Sequence, residues 1–167
     1  MPLGAQDYSA DRPYRPPTRT YARLNRWVGV PLARWGWVPG DVAALEVPGR
    51  RSGRVRAVPV VVTRHAGREY LVALAGESQW VRNVRAARGR AVLRRRHRAR
   101  PVRLEELPTP ERPPVIAAYL EQGRRRGGAA TEKSQARSYF GLEPGASPGD
   151  IAEVADRYPV FLVRDPG

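Results

Sequence analysis

Between Gly49 and Val62 the chain reads Gly-Arg-Arg-Ser-Gly-Arg-Val-Arg-Ala-Val-Pro-Val-Val-Val. Its first eight residues hold four arginines and two glycines, and an apolar β-type run follows at once. Glycines allow positive φ, so a loop can turn its N–H groups toward an anion. Guanidinium groups beside such a loop add fixed charge and paired donors that match phosphate or carboxylate. A strand leaving directly from the loop would hold it rigid. The spacing therefore suits an anionic ligand on the rim of a β structure. A solvated basic hairpin, turning at Ser52-Gly53, is the other reading of the same residues.

A second stretch, Gly76-Glu-Ser-Gln-Trp-Val-Arg-Asn-Val-Arg85, has helical character. Trp80 lies three residues before Asn83 and four before Val84, so the three can share a helix face. Trp80 could cover a flat ring while Asn83 fixes an amide. A helical tryptophan also commonly serves as core.

Other chemistries find no support. His65 and His97 are the only histidines, and both fall at strand ends. No Gly-x-Ser-x-Gly elbow, His-Glu-x-x-His pair or other ligand spacing accompanies them, so neither hydrolysis nor a metal site is expected. Gly49-x-x-x-Gly53 is not a P-loop, because no Gly-Lys-Ser/Thr follows. It is not a dinucleotide fingerprint, because a strand follows rather than a helix.

Composition limits the frame. The 167 residues suffice for one domain with a real core, and 41% are hydrophobic. Cysteine is absent, which rules out disulfides and thiolate chemistry and suits a reducing cytoplasm. No run of about 18 apolar residues is present to span a membrane. The formal charge is +14, and Lys133 is the only lysine, so arginine carries the positive charge. Such charge favours anionic partners: a phosphorylated cofactor, nucleic acid or an anionic membrane surface.

The elements that must position these residues follow from pattern. Residues 1–17 are polar and proline-rich and read as a disordered tail. In 18–40, Tyr21, Leu24, Trp27, Val28, Leu32 and Trp35 recur at helical spacing between arginines, and Pro39-Gly40 ends the run. Residues 41–167 read as a single domain. Strands are expected over 42–47, 55–64, 68–75, 90–96, 99–107 and 158–164, with hairpin turns at Ala66-Gly67 and near His97-Arg98. Helices are expected over 78–88, with Ser78 as N-cap, over 111–122 and over 151–156. Residues 123–149, rich in glycine and arginine, read as a long loop. The sum is mainly β with appended helices (α+β), in a small antiparallel barrel.

The order Gly49-Arg50-Arg51-Ser52-Gly53-x-x-Arg56-x-x-Pro59, a hairpin, Trp80-x-x-Asn83-x-Arg85-Ala86, and a closing Tyr158-Pro159-Val160 strand resembles the deazaflavin-dependent nitroreductases. These have a six-stranded split β-barrel, related to FMN-binding barrels. The resemblance implies a reduced deazaflavin, coenzyme F420, as hydride donor. The acceptor would be an electron-poor quinone, enone or nitro compound. It places Arg50, Arg51, Ser52, Gly53 and Arg56 at the coenzyme phosphate. Ala57, Val58, Pro59, Val60 and Val61 would border the ring, with Val72, Ala73, Leu74 and Ala75. Gln79, Trp80 and Asn83 match the family's helix contacts, and Tyr139 matches a substrate-pocket tyrosine with a catalytic part. Three features depart from the family pattern. Arg51 replaces a lysine, Gly76-Glu77-Ser78 shortens a Gly-rich loop, and 123–149 replaces a Tyr-rich stretch.

Three rival readings share the sequence. One is FMN in place of F420. Another is a basic barrel that binds nucleic acid without reductase activity, which the helical placement of the tryptophans disfavours. The third is peripheral membrane contact through the basic aromatic residues 19–38, which is compatible with the enzyme. Split barrels of this kind occur as monomers or homodimers.

Overall fold

The computed structural model describes residues 41–167, so the expected tail and the expected helix over 18–40 lie outside it. Within it, six antiparallel strands close into a barrel. They are β1 (Val42–Pro48), β2 (Val55–His65), β3 (Arg68–Val72), β4 (Arg90–Arg95), β5 (Arg98–Glu106) and β6 (Val160–Arg164). Their order around the barrel is β1-β2-β3-β6-β5-β4. The arginine loop joins β1 to β2 at one end. The β2–β3 and β4–β5 hairpins turn at the other.

Two apolar layers follow from strand alternation. Leu45, Val47, Val62, Leu71, Leu93, Val102, Leu104 and Phe161 fill the barrel. Helix α1 (Gln79–Ala86) closes that interior with Val81 and Val84, each at most 1% exposed. The outer layer lies under helices α2 (Arg112–Gln135) and α3 (Pro148–Val154). There Ile116, Tyr119, Leu120, Phe140, Ile151 and Tyr158 pack with Tyr70, Val160 and Leu162.

Several boundaries differ from the sequence reading. β3 stops at Val72: the Ala73 N–H still keeps the β6 register by donating to the Pro159 carbonyl, and Gly76 then turns the chain with φ +65°. The β4–β5 turn is Arg96-His97, one residue earlier than expected, with Arg95 paired to Arg98.

The long loop over 123–149 is a correction. α2 runs on to Gln135, and a π-helical turn, Ala136–Phe140, follows it. Glycines 123, 127 and 128 read as breakers, but only Gly128 leaves helical geometry (φ +74°, ψ −174°). There the helix folds back, so that a Cβ on Gly123 would lie 1.9 Å from Gln135 Oε1. The arginine, alanine and glutamate around the glycines are good helix formers, and Glu121 pairs with Arg124 and Arg125.

Candidate functional site

The arginine loop is closed by its own backbone. Gly49 N–H donates to the Arg54 carbonyl at 2.8 Å, and Gly53 N–H to the Gly49 carbonyl at 2.7 Å. Gly53 has φ +67°, the left-handed geometry that favours glycine. Ser52 Oγ accepts from Arg54 N–H at 3.3 Å. Arg50 turns toward α1. Its Nη1 donates to Gln79 Oε1 at 2.7 Å and to Asn83 Oδ1 at 3.2 Å, and its own N–H donates to Asn83 Oδ1 at 3.2 Å.

Asn83 is 6% exposed, and both donors on its oxygen come from Arg50. Asn83 and Gln79 therefore hold the loop, and Arg50 acts as its staple. Arg51 and Arg56 stay exposed with no carboxylate partner among the described residues, as does Arg54, which the motif treats as a variable position. Replacing Asn83 with alanine would strip two donors of their acceptor, a loss of about 1–3 kcal/mol. The expected result is roughly tenfold weaker anion binding and a lower melting temperature, read by titration and calorimetry on one sample.

Among the described residues, the strand leaving the loop has an open side. β1 pairs with β2 over Val55–Val61, and β3 pairs with it only over Val62–His65. The β2 and β3 chains part at Val61 and Val72, so Ala57–Val61 and Val72–Ala75 flank the gap. Val62 N–H donates to the Asp41 carbonyl. By the antiparallel alternation, the even-numbered Arg56, Val58 and Val60 also bond β1, and the odd-numbered positions turn outward. Ala57 then offers an N–H and a carbonyl to the open side, and Pro59 a carbonyl. Pro59 has no N–H to lose there, which is where proline is tolerated in a sheet. A planar heterocycle with donors and acceptors along one edge fits such a strand edge, and an anionic tail fits the arginines beside it.

Trp80 is half-buried and packs on Phe161, with ring centroids 5.4 Å apart at 53°. One face of Trp80 is thus core. Ser78 occupies the N-cap position of α1 in extended geometry, yet its buried Oγ has no partner among the described residues. Tyr139 sits half-exposed in the π-helical turn, and its carbonyl accepts from Tyr158 Oη at 2.6 Å. It packs at the rim of the outer layer, to which Val61, Val72 and Leu74 also belong.

A clasp that the sequence reading missed fixes the short turn after β3. Arg85 donates to Glu77 at 2.6 and 2.8 Å and to Glu106 at 2.7 and 2.8 Å. Glu106 also accepts from Arg112, whose guanidinium reaches the carbonyls of Leu107, Ala155 and Asp156. The hydrogen bonds that Arg85 donates to Glu106 and Glu77 raise its pKa. Those from Arg85 hold Glu77 below the usual carboxylate range, against an opposing desolvation effect.

A depressed carboxylate stabilises the fold above its unfolded pKa, and that contribution is lost as pH falls through the folded value. Thermal stability should therefore drop below about pH 4.3, and Glu77→Gln should flatten that part of a melting-temperature profile. Glu77 and Arg85 are eight residues apart and opposite in charge, but nothing local in the sequence ties either to Glu106.

The family model for F420H(2)-dependent quinone reductase matches residues 14–122. No curated protein sequence matches the chain. Among solved structures, an F420-H2 dependent reductase (FDR-A) is 19% identical, with 74% of this chain and 94% of that one covered at a TM-score of 0.46. A heme binding protein from Mycobacterium smegmatis is 16% identical over 80% of this chain and 49% of that one, also at 0.46. A FAD-binding protein from Mesorhizobium loti is 16% identical over 84% and 90%, at 0.41. Assignment rests on the family model, which takes in the arginine loop, the open strand and α1 and spans more than half of the sequence: the chain belongs to the F420H(2)-dependent quinone reductase family.

Proposed function

We propose that this F420H2-dependent reductase grips its coenzyme at the arginine loop and the open edge of β2, and reduces a quinone-class acceptor there. The observation that carries the reading is the juxtaposition of Arg51 and Arg56, unpaired among the described residues, with the outward-facing backbone of Ala57 and Pro59. When bound, the reduced coenzyme supplies a hydride, and the protein supplies binding, orientation and exclusion of water.

Arg51, Arg54 and Arg56 hold the anionic tail, while Arg50, through Gln79 and Asn83, keeps the loop in place. The loop backbone at Ser52 and Gly53 lines the phosphate. Val58, Val60 and Trp80 pack against the barrel core behind the ring position, and Val61, Val72, Ala73, Leu74 and Ala75 wall it. Tyr139 Oη donates the proton that the reduced acceptor takes up.

Titration with reduced deazaflavin and with FMN tests the reading. Tight binding of the first and turnover of a soluble quinone support it. Binding of FMN with none of deazaflavin overturns the coenzyme assignment. Tyr139→Phe should lower kcat about tenfold or more, as expected for loss of a general acid, and leave coenzyme affinity unchanged. An unchanged kcat removes Tyr139 from the mechanism.

A further inference from the structure

The last carbonyls of a helix have no partner within it and take one from elsewhere. The π-helical turn Ala136–Phe140 ends at Gly141, in left-handed geometry with φ +66°. The N–H groups of Gly141 and Leu142 both turn back to the Ala136 carbonyl. The Tyr139 carbonyl accepts from the Tyr158 hydroxyl at 2.6 Å, across 19 residues. Its donor thus lies on the segment that leads into β6.

Tyr158 is a fixed point. It is 2% exposed. Its ring meets Phe140 edge-on with centroids 4.8 Å apart, and Phe140 meets Tyr119 of α2 in the same manner at 6.0 Å. Its N–H donates to the Ala155 carbonyl, and the Arg112 guanidinium holds the carbonyls of Ala155 and Asp156. The next residue, Pro159, is fully buried, and its carbonyl accepts from Ala73 N–H at 2.9 Å. Two consecutive residues therefore hold two sides of one gap. Tyr158 holds the backbone of Tyr139, and Pro159 holds that of the Val72–Ala75 wall.

We propose that Tyr158 is a positioning residue: its hydroxyl fixes Tyr139 against the Val72–Ala75 wall and so sets the gap in which the acceptor is reduced. The proposal rests on the reading of Tyr139 as proton donor. A general acid works only within hydrogen-bond reach of the atom it protonates, about 2.6–3.2 Å. A misplacement of about 1 Å can cost a hundredfold in rate. Tyr139 stands half-exposed at a helix end, where a side chain is poorly held by packing alone. The Tyr158 hydroxyl ties that end to the dipeptide that also carries the wall.

The test uses Tyr158→Phe, which keeps the ring against Phe140 and removes the hydroxyl. It should lower kcat for a soluble quinone about tenfold and leave the deazaflavin dissociation constant unchanged. In a Tyr139→Phe background it should lower kcat no further, because residues that act as a unit are not additive. A general loss of stability would act equally in both backgrounds. Amide hydrogen exchange without coenzyme gives a readout apart from turnover. The amides of residues 136–142 should exchange about fivefold faster in Tyr158→Phe, as expected for one lost hydrogen bond.

Exchange at the wild-type rate overturns the proposal. So does a kcat that Tyr158→Phe leaves unchanged, or lowers by the same factor in both backgrounds. If Tyr139→Phe alone leaves kcat unchanged, the proton-donor reading fails. Faster exchange with a raised quinone KM in Tyr158→Phe then still assigns Tyr158 to the gap, and an unchanged KM overturns that as well.

Discussion

Replacing Arg51 and Arg56 together with alanine should weaken deazaflavin binding by about a hundredfold or more. A hydrogen bond to a charged group contributes about 1.5–3 kcal/mol, so two give about 3–6 kcal/mol. The lower end is the better expectation, because both side chains are exposed before the ligand arrives and the contact is screened. Neither arginine has a carboxylate to release among the described residues, so the loss falls on binding rather than on folding. Titration at two salt concentrations checks it. Wild-type affinity should fall with salt more steeply than that of the variant. An unchanged dissociation constant would remove the loop from the site.

Gly89→Ala should be the most damaging single substitution for stability, at about 3 kcal/mol or more. Gly89 links α1 to β4 with φ +80°. Its N–H donates to the Val84 carbonyl at 2.9 Å, and its carbonyl accepts from Leu104 N–H at 2.8 Å. A Cβ there would sit 2.3 Å from the Leu104 carbonyl oxygen, a backbone atom. Positive φ alone costs an L-residue about 1–2 kcal/mol, and relief of the contact requires β5 to shift against α1. A fall of roughly 10 °C in melting temperature is the corresponding readout for a domain of this size. A fall of only a degree or two would mean that the α1–β4 junction yields cheaply.

The barrel strands were readable because each carries its own local signal. Alternating aliphatic residues end in turns with residues such as Ala66-Gly67, and these need only a few neighbours to specify them. The second half of α2 was not readable. Gly123, Gly127 and Gly128 look like breakers in a chain, yet Gly123 is small because Gln135 packs against it, a contact that exists only once the helix has folded back. Of the exposed arginines in the loop, the motif singled out Arg51 and Arg56 and passed over Arg54. It also grouped Arg50 with them, and the structure shows Arg50 hydrogen-bonded to Gln79 and Asn83 of α1.

That contact marks the division between chain and fold. Local pattern suffices for the six strands, the glycine geometry of the arginine loop and the concentration of charge around it, since propensity and spacing act over a few residues. Which arginine stays free is a different matter. Arg50 meets Asn83 across 33 residues, and Arg85 meets Glu106 across 21. Both depend on how α1 seats in the barrel mouth. The open edge of β2 likewise arises because β3 leaves β2 after Leu71 while it goes on pairing with β6, so that among the described residues backbone donors and acceptors stay available beside the loop. Register and packing between distant segments set these features, and no window of sequence contains both partners.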